Sequence, residues 1–177
     1  MSTRKIAIIT VSGILGGVAI LIGVILNFFH DASEFRKTLP ERAEAFYLDN
    51  KEMLNEFVEL SFENDISYMA DSEYSGKDEL IFKINGYYVY VDDELSDELS
   101  TETEKRLSEM IDVFKKSNIG NVYIDENNDS YVSFAMTKYS TGIQITYTNE
   151  GMSIEEIKKK EHADNAWYIE DNWVIVD

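Results

Sequence analysis

A chain of 177 residues without cysteine holds neither a disulfide framework nor a cysteine-ligated metal or cluster. Its 34 acidic residues against 16 basic ones give a net charge of −18, which repels nucleic acid and anionic lipid headgroups. Only Arg4 and Lys5 precede the first apolar run, and no acid precedes Asp31, so the remainder carries 14 basic against 34 acidic residues, or −20.

That first run, Ile6 to Phe29, is 24 residues without a charge. As a helix it measures about 36 Å, enough to cross a hydrocarbon core of about 30 Å. A cleavable signal has a shorter apolar region followed by small residues. Here the run ends in NFFHDASEF, and a cut after Ala32 sets His30 where a small side chain is wanted. The segment therefore reads as an uncleaved single-pass anchor in the lipid bilayer. Arg4 and Lys5 favour a cytoplasmic N-terminus, while Arg36, Lys37 and Arg42 blunt that bias from the other side. A five-residue tail offers little to do in the cytoplasm, so the body is expected outside a bacterial cell membrane. Ser12, Gly13, Gly16, Gly17 and Gly23 form small-residue patches along the span. Such patches let helix backbones approach closely, for self-association or a partner helix.

The expected plan is a tail over 1–5, a span over 6–29, a connector over 30–37 and an α+β domain over 38–177. Thr38 and Glu41 read as a capping box opening a helix with Pro40 in its first turn. Ala43, Phe46, Tyr47, Met53, Leu54, Phe57, Val58 and Leu60 make its apolar stripe. The opposite face is acidic, not the lysine-rich face of a membrane-surface helix.

LIFKINGYYVYV, residues 80–91, predicts a hairpin about Asn85-Gly86. Pairing Ile84 with Tyr87 puts Leu80, Phe82, Ile84, Tyr87, Val89 and Val91 on one face. Ile81, Lys83, Tyr88 and Tyr90 fall on the other, where Lys83, Tyr88 and Tyr90 are candidate ligand-binding residues. The acidic repeat DDELSDELS reads as a solvated loop, followed by a second capping box at Thr101. That box starts a helix carrying Leu107, Met110, Ile111 and Phe114, with Gly120 just beyond its end.

Strands follow at 122–124, 131–136 and 142–148, then a short helix capped by Ser153 and Glu156. The closing WYIEDNWVIV predicts a hairpin placing Trp167, Ile169, Val174 and Val176 on one face. The fold class is thus α+β: an N-terminal transmembrane helix, then an antiparallel sheet of about six or seven strands covered by two or three helices.

For chemistry the sequence offers little. Its two histidines, His30 and His162, have no partner at metal or relay spacing. No P-loop or GxGxxG is present outside the apolar run. Asp125, Asn127 and Asp129 match the first three ligands of a calcium loop, the one weak cofactor candidate. Ser130 replaces the turn glycine there, and Met136 stands where the bidentate glutamate belongs, so a plain polar turn competes. Three functions follow: a non-catalytic binding or assembly module on a membrane anchor, a ligand sensor using the 80–91 tyrosine face, or a carboxylate hydrolase. The last needs two acids about 5 to 9.5 Å apart, and no pair is singled out.

Overall fold

The computed structural model describes residues 3–73, 80–92, 99–125, 131–138, 141–148, 152–170 and 172–177, without the side chains of 3–19, 32, 35–37, 138 and 141. Two compact units divide the chain, residues 1–38 and 39–177. Helix α1, Thr3–Glu63, contributes to both.

In the first unit residues 30–37 are helical, not the connector expected from their polarity. The Thr38 hydroxyl donates to the Glu34 carbonyl at 3.1 Å, a bond made inside a helix, so Thr38 does not cap one. Among the described residues no helix is long and apolar enough to cross a membrane. Most of the 6–29 run lies outside them by side chain, including Ser12, Gly13, Gly16 and Gly17. Gly23 is described, and nothing lies within 4 Å of the position its Cβ would take.

In the second unit the apolar stripe of α1 is buried at Leu39, Ala43, Phe46, Tyr47, Leu54, Phe57, Val58 and Leu60. Asn50 lies on the same stripe, and there the helix breaks, with φ −129° and ψ 15°. Its side-chain amide donates to the Phe46 carbonyl at 2.8 Å, satisfying an acceptor the break would otherwise leave open. The stripe packs on an antiparallel sheet made of β1 Ile66–Ala70, β2 Leu80–Ile84, β3 Tyr87–Val91, β4 Ile119–Asp125, β5 Tyr131–Lys138, β6 Thr141–Tyr147, β7 Ala166–Glu170 and β8 Trp173–Val176. Their order is β2-β3-β1-β4-β5-β6-β8-β7. The fold is α+β as the pattern predicts, with eight strands where six or seven are expected.

Helix α2, Thr101–Lys116, joins α1 on the inner face. Its cap is Ser100, one residue earlier than expected, accepting from the Thr103 N–H at 3.1 Å. Phe57 meets Phe114 and Phe134 with ring centroids at 5.3 Å each, and Phe134 reaches Trp173 at 6.0 Å. The Trp173 indole donates to Asn55 at 3.0 Å, so the one polar atom of this aromatic core is satisfied.

Helix α3, Ile154–Glu161, carries the expected Ser153–Glu156 capping box. Its buried Ile157 packs on Val174 and Val176, with Met152, Ile154, Ala163 and Ala166 around them. Those valines alternate with the inward-facing Trp173 and Ile175, so α3 covers the opposite, outer face of the sheet. The last hairpin departs from its predicted register. Glu170 pairs with Trp173, but a bulge between Tyr168 and Glu170 shifts the remaining pairs to Tyr168 with Val174 and Trp167 with Ile175. Trp167 therefore faces away from Val174 and Val176, because one extra residue reverses every later side chain.

Candidate binding face

The half of the outer face that α3 leaves uncovered is built by β2, β3, β1 and β4. Its first device is the Asn85-Gly86 turn, whose φ values of 46° and 81° are those of a type I′ hairpin. Asn85 is held to α2 by a 2.6 Å bond to Asp112, and Lys115 donates to its carbonyl. With Ile84 opposite Tyr87, the register runs Ile81–Tyr90 and Lys83–Tyr88, as the sequence predicts.

The register continues across the neighbouring strands. Tyr90 lies beside Tyr68, and Tyr68 beside Tyr123. One step along, Tyr88 lies beside Ala70, and Ala70 beside Asn121. Laterally paired residues share a face, so four tyrosines, one lysine and one asparagine project together. Tyr123 is 48 % exposed and Ile81 45 %, Tyr68 and Tyr88 are half-buried, and Lys83 is exposed. Tyr90 is buried at 1 %, its ring centroid 5.5 Å from that of Tyr68.

Of the three sequence candidates, the structure brings Lys83 and Tyr88 together. The ammonium sits 3.4 Å from the Tyr88 hydroxyl and 5.0 Å from the ring centroid, a cation–π distance. Tyr90 projects on the same face and is buried beside Tyr68. Tyr68, Tyr123 and Asn121 belong to it too, with the Tyr68 hydroxyl donating to Asn121 Oδ1 at 3.1 Å. Tyr68 is missed from the sequence because β1 has a bulge at its start, which breaks the alternation of ISYMA, and Tyr123 and Asn121 because β4 meets β1 through a pairing distant in sequence. On the inner side, burial and the nearby Asp71 push the Tyr87 hydroxyl up to about 12, so it stays a donor, here to the Ile119 carbonyl.

The calcium-loop candidates do not form a described site. Asp125 ends β4 and lies 3.7 Å from Lys160, whereas Asn127 and Asp129 fall outside the described residues. Among the described residues no three potential metal ligands gather. His162 ends α3 in the left-handed conformation, φ 52°, and His30 is exposed on α1. No protein-family model, curated protein or solved structure matches the chain.

Proposed function

We propose that this chain is a single-pass membrane protein presenting an acidic α+β domain, outside a bacterial cell, as a binding or assembly module without catalytic activity. The observation that carries the reading is the apolar surface of α1. Ile20, Leu21, Ile22, Val24, Ile25, Leu26, Phe28 and Phe29 are 44–71 % exposed over nearly three turns, and the single polar residue among them, Asn27, does not make a polar face. A helix apolar all round belongs in lipid or in a protein interior. The described side chains account for about 15 Å of helix, and the uncharged sequence back to Ile6 supplies the remaining length. Lipid is the better host, because the uncharged run is about as long as a bilayer core is thick.

Alkaline carbonate washing of membranes tests the anchor. The full chain stays in the pellet and a chain lacking residues 6–29 leaves it; a full chain released by the wash overturns the proposal. Self-association through Gly16 belongs to the same reading, and replacing Gly16 with isoleucine lowers it in a span dimerisation assay.

A ligand-sensing role is the second reading, favoured by the Lys83–Tyr88 pair beside the exposed Tyr123. Tyrosine faces of this kind offer flat apolar contact with a polar rim.

A further inference from the structure

The two end strands of the sheet are finished differently. At one end β7 is bulged, and its Glu170 is tied to Lys51 at 2.6 Å and to the Tyr47 hydroxyl at 2.8 Å. Bulges and charges of this kind block further strand pairing. At the other end β2 pairs with β3 through five consecutive residues without a bulge. No described strand lies on its far side.

The turn fixes which main-chain groups face that side. In a two-residue hairpin Ile84 and Tyr87 form a hydrogen-bonded pair, so alternation commits Leu80, Phe82 and Ile84 to β3. The N–H and C=O groups of Ile81 and Lys83 then point outward. Beside them lies a groove of about 400 Å³ between β2 and α2, lined by Phe82, Lys83, Thr101, Glu104, Lys105 and Ser108 among others. Leu80 and Phe82 lie on the core side of the sheet yet remain half-exposed, because nothing described covers them from the edge. Lys83 stands on the outer side of this edge, while Lys105 and Glu104 together line the groove, so Lys83 gives the edge a cation on a chain of net charge −18.

We propose that this edge accepts an extended peptide segment of a partner protein as a ninth strand, with apolar residues at alternate positions and a carboxylate beside Lys83. Strand addition draws affinity from main-chain hydrogen bonds and specificity from pockets for every second side chain. The outward groups of Ile81 and Lys83 supply the first. The groove beside Phe82 supplies the second, and Lys83 sets the charge preference. A second copy of this chain fits less well. Two bodies of like charge repel. The inference rests on the domain being a binding module and is independent of the membrane anchor.

Fluorescence anisotropy with the full chain in detergent micelles tests it. The probe is a labelled, end-blocked heptapeptide alternating valine and glutamate, compared with its valine–lysine counterpart and with versions N-methylated at every second residue in either phase. The acidic peptide binds about tenfold more tightly than the basic one, and one methylation phase abolishes binding. Ile81→Pro removes an outward N–H without touching the β3 bonds and weakens binding about tenfold. Lys83→Glu, a surface change that leaves folding intact, reverses the charge preference. No saturable binding, equal affinity for both peptides, or binding that survives both methylation phases overturns the proposal. So does a dimer in sedimentation analysis that Ile81→Pro dissolves, which assigns the edge to a second copy. None of these results alters the outcome of the carbonate wash, so the two proposals fail separately.

Discussion

The outer face of the sheet is two surfaces made by one alternation rule. Over β8 the outward side chains are Val174 and Val176, both buried beneath Ile157 of α3. Over β2, β3, β1 and β4 the same positions carry Lys83, Tyr88, Tyr68, Tyr123 and Asn121. Branched aliphatic residues need a cover, and the short amphipathic helix provides it. Tyrosine and lysine present an apolar body with a polar tip and stand half in water at little cost. The difference teaches that, among the described residues, this half keeps Lys83 and Tyr123 exposed and Tyr68 and Tyr88 half in water, while Tyr90 is buried beside Tyr68.

Several substitutions break or sharpen this contrast. Ile157→Ala empties the contact beneath α3 and costs about 2–4 kcal/mol of unfolding free energy by urea titration. Ser153→Ala removes the hydroxyl that accepts from the Glu156 N–H and costs about 1 kcal/mol in the same measurement.

A pH effect also belongs to the covered half. Burial holds the Glu161 carboxyl above its ordinary value of 4.5, with the neighbouring His162 opposing. The folded chain thus keeps this proton longer than the unfolded one. Its contribution is fully present below the ordinary value and is lost as pH rises through the raised one. Glu161→Gln still accepts from the Tyr131 hydroxyl and lacks the titration. Its melting temperature therefore falls less than wild type as pH is raised from 4.5. On the open half Tyr123→Ala changes stability by less than about 0.5 kcal/mol. A large loss there would mean that the tyrosine face is part of the core.

Much of this architecture is legible from local signals. Asn85-Gly86 dictates a type I′ turn, and with it the register of β2 on β3 and the facing of Lys83 and Tyr88. Ser153 and Glu156 announce α3 because capping is local chemistry. The parts that escape depend on a single inserted residue or on distant contacts. Bulges in β1 and β7 spoil a period of two, hiding Tyr68 and misplacing Trp167. The break at Asn50 looks like an ordinary polar position until its amide is seen on the Phe46 carbonyl. The end of α2 is set by Asn118, which adopts φ 58°, and not by Gly120, which enters β4. The candidate face itself is only half visible, since β1 joins β3, and β4 joins β1, through pairings distant in sequence.

We propose that the domain is anchored on the outer side of the membrane, with Tyr123 accessible to solvent. Because the chain has no cysteine, a single introduced thiol reports on that claim directly. Tyr123→Cys on the open half and Val174→Cys under α3 are to be treated, in intact bacterial cells, with a membrane-impermeant maleimide. The account predicts that the thiol at position 123 is labelled without lysis, and that the one at 174 is labelled only after denaturation. Labelling at 123 that requires lysis would place the domain on the cytoplasmic side and contradict the account.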